Sequence, residues 1–343
     1  MKATIKDIAE RTGVSHVTVS NALRRSGRMA EDTRRRILKT ARELGYRPNT
    51  FAKATRMGRF SAAGLLMSTF HGRSHISFGL LDGIQSELAA HEMHLVMSRL
   101  PDEKLTSEAK LPRLLREWMT DGLLINYNID VPEEMVRLIR EHALPSIWIN
   151  ADMDSDCVCP DDAGAGRMAT EQLLSHGHRR IAYLQYPTPT AHRKKHHSEQ
   201  RRREGYEQAM QSVGLASGAE LLDAAWTRPG DGFGEKDTRV EAAVRWLQRD
   251  GRPSAVVTYS SSVAQPLLHA TALLGIRVPE ELALITIEDM PVAAQGVPIT
   301  TIDLNVEEMG RQAVRMLLQK IEAPTDPLAP TKVPVKLVAG QTS

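Results

Sequence analysis

At 343 residues the chain is too long for one ordinary hydrophobic core, so two or three domains are expected. Hydrophobic residues at 41% and charged residues at 25% fit a soluble globular protein and exclude a disordered one. No apolar run approaches the roughly 20 residues of a membrane helix, so no membrane partner is expected.

The net charge of +2 conceals an asymmetry. Residues 1–60 hold 15 Lys/Arg against 5 Asp/Glu, a net of +10, while residues 61–343 hold 29 against 37, a net of −8. A small basic head on a mildly acidic body directs the head toward a polyanion; a merely solvated surface is the alternative. The opening Met1-Lys2-Ala3-Thr4-Ile5-Lys6-Asp7 lacks an apolar signal region, which implies a cytoplasmic location. Cys157 and Cys159 are the only cysteines. One C-x-C pair gives no disulfide framework and only a weak metal signal, so both are expected to be buried thiols of a reducing compartment, with no metal and no cofactor.

In the head, Thr4 is placed to cap a helix whose Ile5, Ile8 and Ala9 share one face. Gly13 breaks it after Thr12. Ser15 then caps a second helix with Val19, Ala22 and Leu23 in its apolar stripe, and the two make a helix-turn-helix pattern. A third helix is expected over Arg34–Leu44, with Ile37, Ala41 and Leu44 inward. Gly45 ends it and Pro48 blocks a restart. Opposite the stripe of the second helix lie Val17, Ser20, Asn21 and Arg24, spaced i, i+3, i+4, i+7, with His16 at the helix start. That face is small, polar and free of carboxylates, as a helix reading base edges between phosphates must be. Asn21 suits a paired hydrogen bond to adenine, His16 a guanine acceptor, and Val17 a thymine methyl. A plain exposed helix surface is the competing reading.

From Ala62 short apolar runs alternate with amphipathic stretches. Strand-like runs are Ala63–Met67, His94–Met97, Gly122–Ile125, Ser146–Ile149, Arg180–Leu184, Ala255–Tyr259 and Leu282–Ile287. Helical candidates are Phe78–Ala90, Pro132–His142, Ala163–His176, Glu199–Ser212 and Val263–Leu274. Such alternation argues for parallel sheets with helices on both faces. About 280 residues of it exceed one doubly wound domain, so two lobes are expected. Ligands of such sheets bind beyond the carboxyl ends of the strands, here in a cleft between lobes.

The head motifs Thr4-Ile5-Lys6-Asp7-Ile8-Ala9, Gly13-Val14-Ser15, Thr18-Val19-Ser20 and Leu44-Gly45-Tyr46-Arg47-Pro48-Asn49 keep order and spacing throughout. In this they resemble the lactose-repressor (LacI/GalR) family. The resemblance implies that His16, Val17 and Asn21 read bases and that Thr4, Ser15, Thr18, Ser20 and Thr33 contact phosphates. Hydroxyls at helix starts suit phosphate oxygens. Arg24, on the same face, is assigned to the DNA backbone. Residues 50–59 resemble the family's hinge, which becomes a minor-groove helix on operator and wedges a base step with paired leucines. The hinge set here is Asn49, Ala52, Lys53, Thr55 and Arg56. Thr55 stands at the leucine position, smaller, polar and a poorer helix former, and Met57 would face elsewhere, so weaker kinking is expected. Lys53, Arg56 and Arg59 still neutralise phosphates.

The resemblance continues in the body through Asp121–Tyr127, Gly177–Leu184, Ser198–Arg202 with Gly205-Tyr206, Gly275–Pro279 and Thr300-Thr301-Ile302. It implies an N-terminal all-α helix-turn-helix head and an α/β periplasmic-binding-protein-like core of two doubly wound parallel-sheet lobes. With crossovers near 160, 290 and 322, the division is 1–48 head, 49–60 hinge and 61–343 core. Lobe 1 takes about 61–159 and 290–321, and lobe 2 about 160–289 and 322–343. Asn126, Asn150, Ser198, Arg202 and Glu288 fall where the family lines its effector cleft, and Ser260 joins them. Arg202 can grip paired hydroxyls or an anion; a surface salt bridge is its alternative. Asn126 and Asn150 can instead satisfy local backbone at strand ends. Ser260-Ser261 replace an Asn-Asp pair frequent in the family, which weakens the case for a common monosaccharide, while Glu288-Asp289 keep an acidic pair. The basic run Ala191–His197 is a solvated loop or, alternatively, a lid over an acidic effector such as a uronate or sugar phosphate.

The resulting expectation is a sequence-specific repressor whose operator affinity is set by a small molecule, a sugar or sugar derivative, through a two-state change in lobe packing. One small head covers a half-site, so a homodimer on a palindromic duplex is implied. The chain stops at Gly340–Ser343 without the C-terminal zipper of longer family members, which favours a dimer. A solute-binding sensor without a transcriptional role is the alternative. An enzyme is disfavoured: Asp161-Asp162 and Glu288-Asp289 lack a histidine cluster or nucleophile, and His192, His196 and His197 are expected in one loop.

Overall fold

The structure, a computed structural model, describes residues 3–46, 59–70, 72–114, 117, 119–187, 195–222, 238–294 and 296–343. In the first unit α1 (Ile5–Thr12), α2 (His16–Leu23) and α3 (Glu31–Glu43) close over Ile8, Ala9, Val19, Ala22, Ile37 and Ala41. Thr4 and Asp7 form a reciprocal capping box, with the Thr4 N–H donating to Asp7 Oδ2 at 2.7 Å. Gly13, at φ 68°, ends α1 in the left-handed region where a Cβ would be strained. The Ser15 hydroxyl caps α2 by accepting the Thr18 N–H at 3.1 Å. Helix α3 starts three residues before the expected Arg34. Its first turn is polar, with Glu31 and Asp32 favoured by the helix dipole, and so carries no apolar periodicity to read.

In the second unit, Ser61–Ser343, the strands of lobe 1 are β1 (Ala62–Ser68), β2 (His94–Leu100), β3 (Gly122–Asn126), β4 (Ser146–Ile149), β5 (Cys157–Pro160) and β13 (Thr331–Val333), in the order β13-β5-β4-β3-β1-β2. Lobe 2 has β6 (Ile181–Gln185), β7 (Gly218–Leu221), β8 (Ala255–Thr258), β9 (Ala283–Glu288), β12 (Thr300–Asp303) and β14 (Lys336–Val338), in the order β14-β12-β9-β8-β6-β7. Neighbours run parallel except β14 on β12. A two-residue hairpin, β10 (Ala293–Ala294) with β11 (Val297–Pro298), stands apart. The helices are α4 (Phe78–Ala90), the single turn α5 (Asp102–Leu105), α6 (Glu133–Glu141), α7 (Asp162–Ser175), α8 (His197–Ser212), α9 (Thr238–Leu247), α10 (Ser261–Leu274) and α11 (Val306–Glu322). Central strands β1, β3, β4, β6 and β8 are buried along their whole length, as continuous apolar runs in doubly covered parallel sheets should be.

The chain crosses between lobes near 160, 304 and 334, which corrects the expected 290 and 322. Thr300–Asp303 pairs with β9 in register Thr301↔Thr286 and so stays in lobe 2. Helix α11 packs on α4 in lobe 1, and Thr331–Val333 then adds to the edge of the lobe 1 sheet beside β5. Paired glycines set the closest helix contacts in both lobes. A Cβ on Gly83 would overlap the Glu307 carbonyl, and one on Gly166 would overlap the Arg202 carbonyl, with Gly205 facing Ala163 in the same way. Cys157 is buried and Cys159, expected to be buried as well, is partly exposed; both are free thiols.

Candidate functional site

Helix α2 presents the surface the sequence singled out. Val17 is 68% exposed despite being apolar, and His16 beside it is exposed too. Asn21 is partly buried with its amide against Gly27. Val19 and Ala22 turn inward. The first turn of α2 has no acidic residue. Ser15 Oγ and Thr18 Oγ1 lie 2.9 Å apart, and Arg24 folds back so that Nε donates to the Ser20 carbonyl at 3.3 Å and a terminal nitrogen to the Ser20 hydroxyl. Thr4 is engaged in its capping box, and Thr33 sits partly buried in the first turn of α3. Thus one surface gathers His16, Val17 and Asn21, while of the hydroxyls assigned to phosphates Thr4, Ser15, Thr18 and Thr33 stand at helix starts and Ser20 lies mid-helix. The hinge set Asn49, Ala52, Lys53, Thr55 and Arg56 lies outside the described residues.

In the second unit residues beyond strand ends of the two lobes meet: the Asn150 carbonyl, after β4, lies 3.3 Å from His196 Nε2, and Asp289, after β9, lies 4.0 Å from His75. Asn126, fully buried at the end of β3, donates through Nδ2 to the His75 carbonyl at 2.6 Å. Its Oδ1, like the Oδ1 of Asn150, is a buried acceptor without a hydrogen-bond partner among the described residues. Asn150, just past β4, holds φ at 55°, a left-handed conformation that asparagine tolerates better than most residues.

Arg202, buried on α8, donates through Nε to Asp162 Oδ1 at 2.8 Å and through a terminal nitrogen to the Tyr259 carbonyl at 2.8 Å. Its guanidinium also stacks 4.7 Å from the centre of the Tyr259 ring. It is therefore a buried ion pair, not the surface salt bridge weighed from sequence, and any ligand meets it with Asp162 already attached. Burial pushes the Asp162 carboxyl up, but Arg202 and His197 outweigh it and hold the group at about 2. Ser198 is buried and bridges Tyr259, at 2.8 Å from its hydroxyl, and His196, at 2.7 Å from Nδ1.

Ser260 stands at the N-cap position of α10 with its hydroxyl on Ser262 at 2.7 Å. Glu288 Oε2 accepts the Ser261 N–H at 2.9 Å, so the acidic side chain and Ser260 meet at one helix start. Burial, and Glu288 beside it, push the Asp289 carboxyl up. The structure thus brings Ser198 and Arg202 into one network with Tyr259, and Ser260 with Glu288 into a second at the start of α10.

The expectation that His192, His196 and His197 share a loop is corrected for His197, which is helical; His192 lies outside the described residues. His196 caps α8, its ring accepting the Ser198 N–H at 3.2 Å, and His197 is the first helical residue, 3.4 Å from Asp162 Oδ2. Sequence reasoning also missed Asp162 and Tyr259. The Asp161-Asp162 pair was visible, but nothing in its surroundings named a partner 40 residues away.

A profile described as bacterial regulatory proteins, lacI family, matches residues 4–49, and one described as periplasmic binding protein-like domain matches residues 170–343, slightly over half of the chain. The chain belongs to the lacI family. Relatives extend over nearly its whole length. The HTH-type transcriptional repressor PurR of Vibrio vulnificus (strain CMCP6) is 28% identical over 328 residues, covering 93% of this chain and 92% of its own. The HTH-type transcriptional regulator GalS of Salmonella typhimurium is 28% identical over 322 residues, with 92% and 89% covered. The lac repressor dimer bound to operator and the anti-inducer ONPF shares the fold at a TM-score of 0.75 and 20% identity, over 100% of this chain and 99% of that one. As a lacI-family protein the chain is a DNA-binding transcriptional regulator with a ligand-binding core, and not an enzyme or a solute carrier without a role on DNA. No helix among the described residues is long and apolar enough to cross a membrane.

Proposed function

We propose that this lacI-family regulator is a cytoplasmic repressor that grips a palindromic duplex as a homodimer, with a small hydroxyl-rich effector between the lobes setting its affinity. Residues 1–48 read the operator, 49–60 act as the hinge, and the two lobes of 61–343 bind effector and partner. The observation that carries the reading is the acid-free, solvent-facing side of α2, where an apolar Val17 is left in water beside His16 and Asn21. An exposed valine flanked by hydrogen-bonding side chains suits base edges better than bulk solvent. His16, Val17 and Asn21 make the base contacts; Thr4, Ser15, Thr18, Ser20, Arg24 and Thr33 hold phosphates.

For the effector, the support is the pair of unpartnered amide oxygens on Asn126 and Asn150. Both are acceptors and call for hydroxyl donors, as a sugar or sugar derivative supplies. Glu288 and Asp289 on the facing lobe make an acidic effector the poorer fit. Asn126, Asn150, Ser198, Arg202, Ser260 and Glu288 form the effector set. A gel shift of the full chain on the promoter of its own operon, repeated with candidate sugars, tests the reading. Retarded duplex whose amount changes with one sugar is the expected result; equal binding to any duplex, unmoved by ligand, contradicts it.

A further inference from the structure

The junction between the lobes contains a hydrogen-bond chain with a fixed direction. His196 Nδ1 lies 3.2 Å from the Ser198 N–H, which only donates, so Nδ1 is the acceptor and the ring proton sits on Nε2. That Nε2–H faces the carbonyl oxygen of Asn150 at 3.3 Å, a residue of the other lobe. Because Nδ1 accepts, the Ser198 hydroxyl at 2.7 Å donates to it and in turn accepts from the Tyr259 hydroxyl at 2.8 Å. The Tyr259 carbonyl receives Arg202, and Arg202 holds Asp162. Every other member of the chain belongs to lobe 2; Asn150 alone belongs to lobe 1. Its carbonyl is presented by a left-handed backbone at φ 55° and also lies 3.4 Å from Asn128 Nδ2.

The two ion pairs between the lobes among the described residues are more open. Arg201 meets Asp152 at 3.4 Å with both side chains about half exposed (49% and 59%), and His75 stands 4.0 Å from Asp289 while 79% exposed. Pairs so open to water contribute little. His196 is partly buried and its bond is directional.

We propose that His196 is a latch that holds lobe 2 against lobe 1 through Asn150, and is thereby the residue setting how far an effector must shift the lobe equilibrium. This rests on reading the junction as the effector site. A ligand that lodges at the Asn150 side chain acts on the residue whose backbone carbonyl the latch uses, so occupancy and lobe packing share one residue. A ligand shifts such an equilibrium only by its differential affinity for the two arrangements, and the latch is part of that difference.

Two substitutions separate the latch from the helix cap. His196→Asn keeps an oxygen able to accept the Ser198 N–H, since asparagine is a strong N-cap, but is too short to reach Asn150. His196→Gln is longer and places an amide donor near the position of Nε2. His196→Ser, another strong cap, repeats the short case should the asparagine variant fold poorly. The full chain, with Cys157→Ala and Cys159→Ala, carries a dye pair on the exposed positions Glu92→Cys in lobe 1 and Gln211→Cys in lobe 2. Single-molecule energy transfer between the dyes reads the lobe arrangement directly. The closed-to-open ratio is expected to fall by roughly 2–12-fold in His196→Asn and His196→Ser, the scale of one net hydrogen bond, and to stay within a factor of about two of the parent in His196→Gln. An unchanged distribution in the short variants, or a glutamine variant as open as they are, overturns the latch. No ligand enters this measurement, so its failure leaves the effector reading intact, and a failure of sugar binding leaves the latch standing.

Discussion

Asp162 and Arg202 meet at 2.8 Å although 40 residues separate them, because Gly166 on α7 and Gly205 on α8 let the two helices touch backbone to backbone. The ion pair, the glycine crossing and the start of β6 are parts of one arrangement: the buried Tyr206 of α8 also donates to the Ile181 carbonyl at 2.8 Å.

Breaking this pair from either side should be costly. Both side chains are less than 10% exposed (9% and 3%), so Asp162→Asn leaves a buried guanidinium without its counter-charge. Removal of one partner of such a pair costs about 3–5 kcal/mol, whereas replacing both with apolar residues is often near neutral. Urea unfolding should place Asp162→Asn and Arg202→Met well below the parent, and the double variant Asp162→Leu with Arg202→Met above either single change.

Acid should weaken the core of the second unit in two overlapping steps. Burial and the neighbouring His197 hold the His196 imidazole down at about 3, against an ordinary value of 6.5. Of the groups facing it, His197 and Arg202 press it down, while the Asp162 carboxylate and the Asn150 carbonyl work in the opposite sense. The unfolded chain therefore binds a proton that the folded chain refuses, so this contribution is whole above about 6.5 and is lost as pH falls toward 3. Asp162 behaves alike between its ordinary 3.8 and about 2. Urea midpoints measured from pH 7 to pH 3 should decline in the parent and decline less in His196→Asn; parallel curves would show that His196 is not held neutral.

Much of this organisation is legible from the residues alone. Thr4 and Ser15 announce their helices because capping is a local event, and Phe78–Ala90 reads correctly because its apolar stripe repeats at helical period. The central strands β1, β3, β4, β6, β8 and β9 read well, being short apolar runs buried on two faces, whereas β5, β7, β12 and β13 fall outside the strand-like runs. What escaped is non-local. Whether Thr300–Asp303 belongs to one sheet or the other depends on its pairing with β9, which leaves no mark in its own sequence. Asp162, Tyr259 and His196 acquire their roles from partners far along the chain, and a basic run containing three histidines reads as a solvated loop until its end is seen capping α8.

Methyl groups at the helix crossing should be poorly tolerated. Gly166→Ala puts a Cβ onto the Arg202 carbonyl, a backbone atom that cannot rotate away. Overpacking of this kind costs about 1–3 kcal/mol and can exceed that where backbone is struck. Gly13→Ala, where nothing lies within 4 Å, should show only the smaller strain of a positive φ. Thermal melts of the two variants compare the mechanisms directly.

On DNA, the side chains of α2 should differ in kind. Asn21→Ala should lose discrimination at one base pair per half-site, by about 1–3 kcal/mol, while leaving affinity for random duplex nearly unchanged. Lys6→Ala or Arg28→Ala, changes among the exposed cations of the head, should weaken all duplexes alike or not at all, and any loss should shrink as salt rises. Anisotropy titrations against single-base operator variants at two salt concentrations distinguish these outcomes.

The most direct measurement is selection of bound sequences from a random duplex pool by the purified full chain, followed by titration of the winning site. An inverted repeat with half-sites about one helical turn apart should emerge, bound at least 1,000-fold tighter than random duplex and with specificity that falls when Asn21 is replaced. A pool without an enriched palindrome, or one whose winner is bound no better than random DNA, would contradict the assignment of α2 as the reading helix.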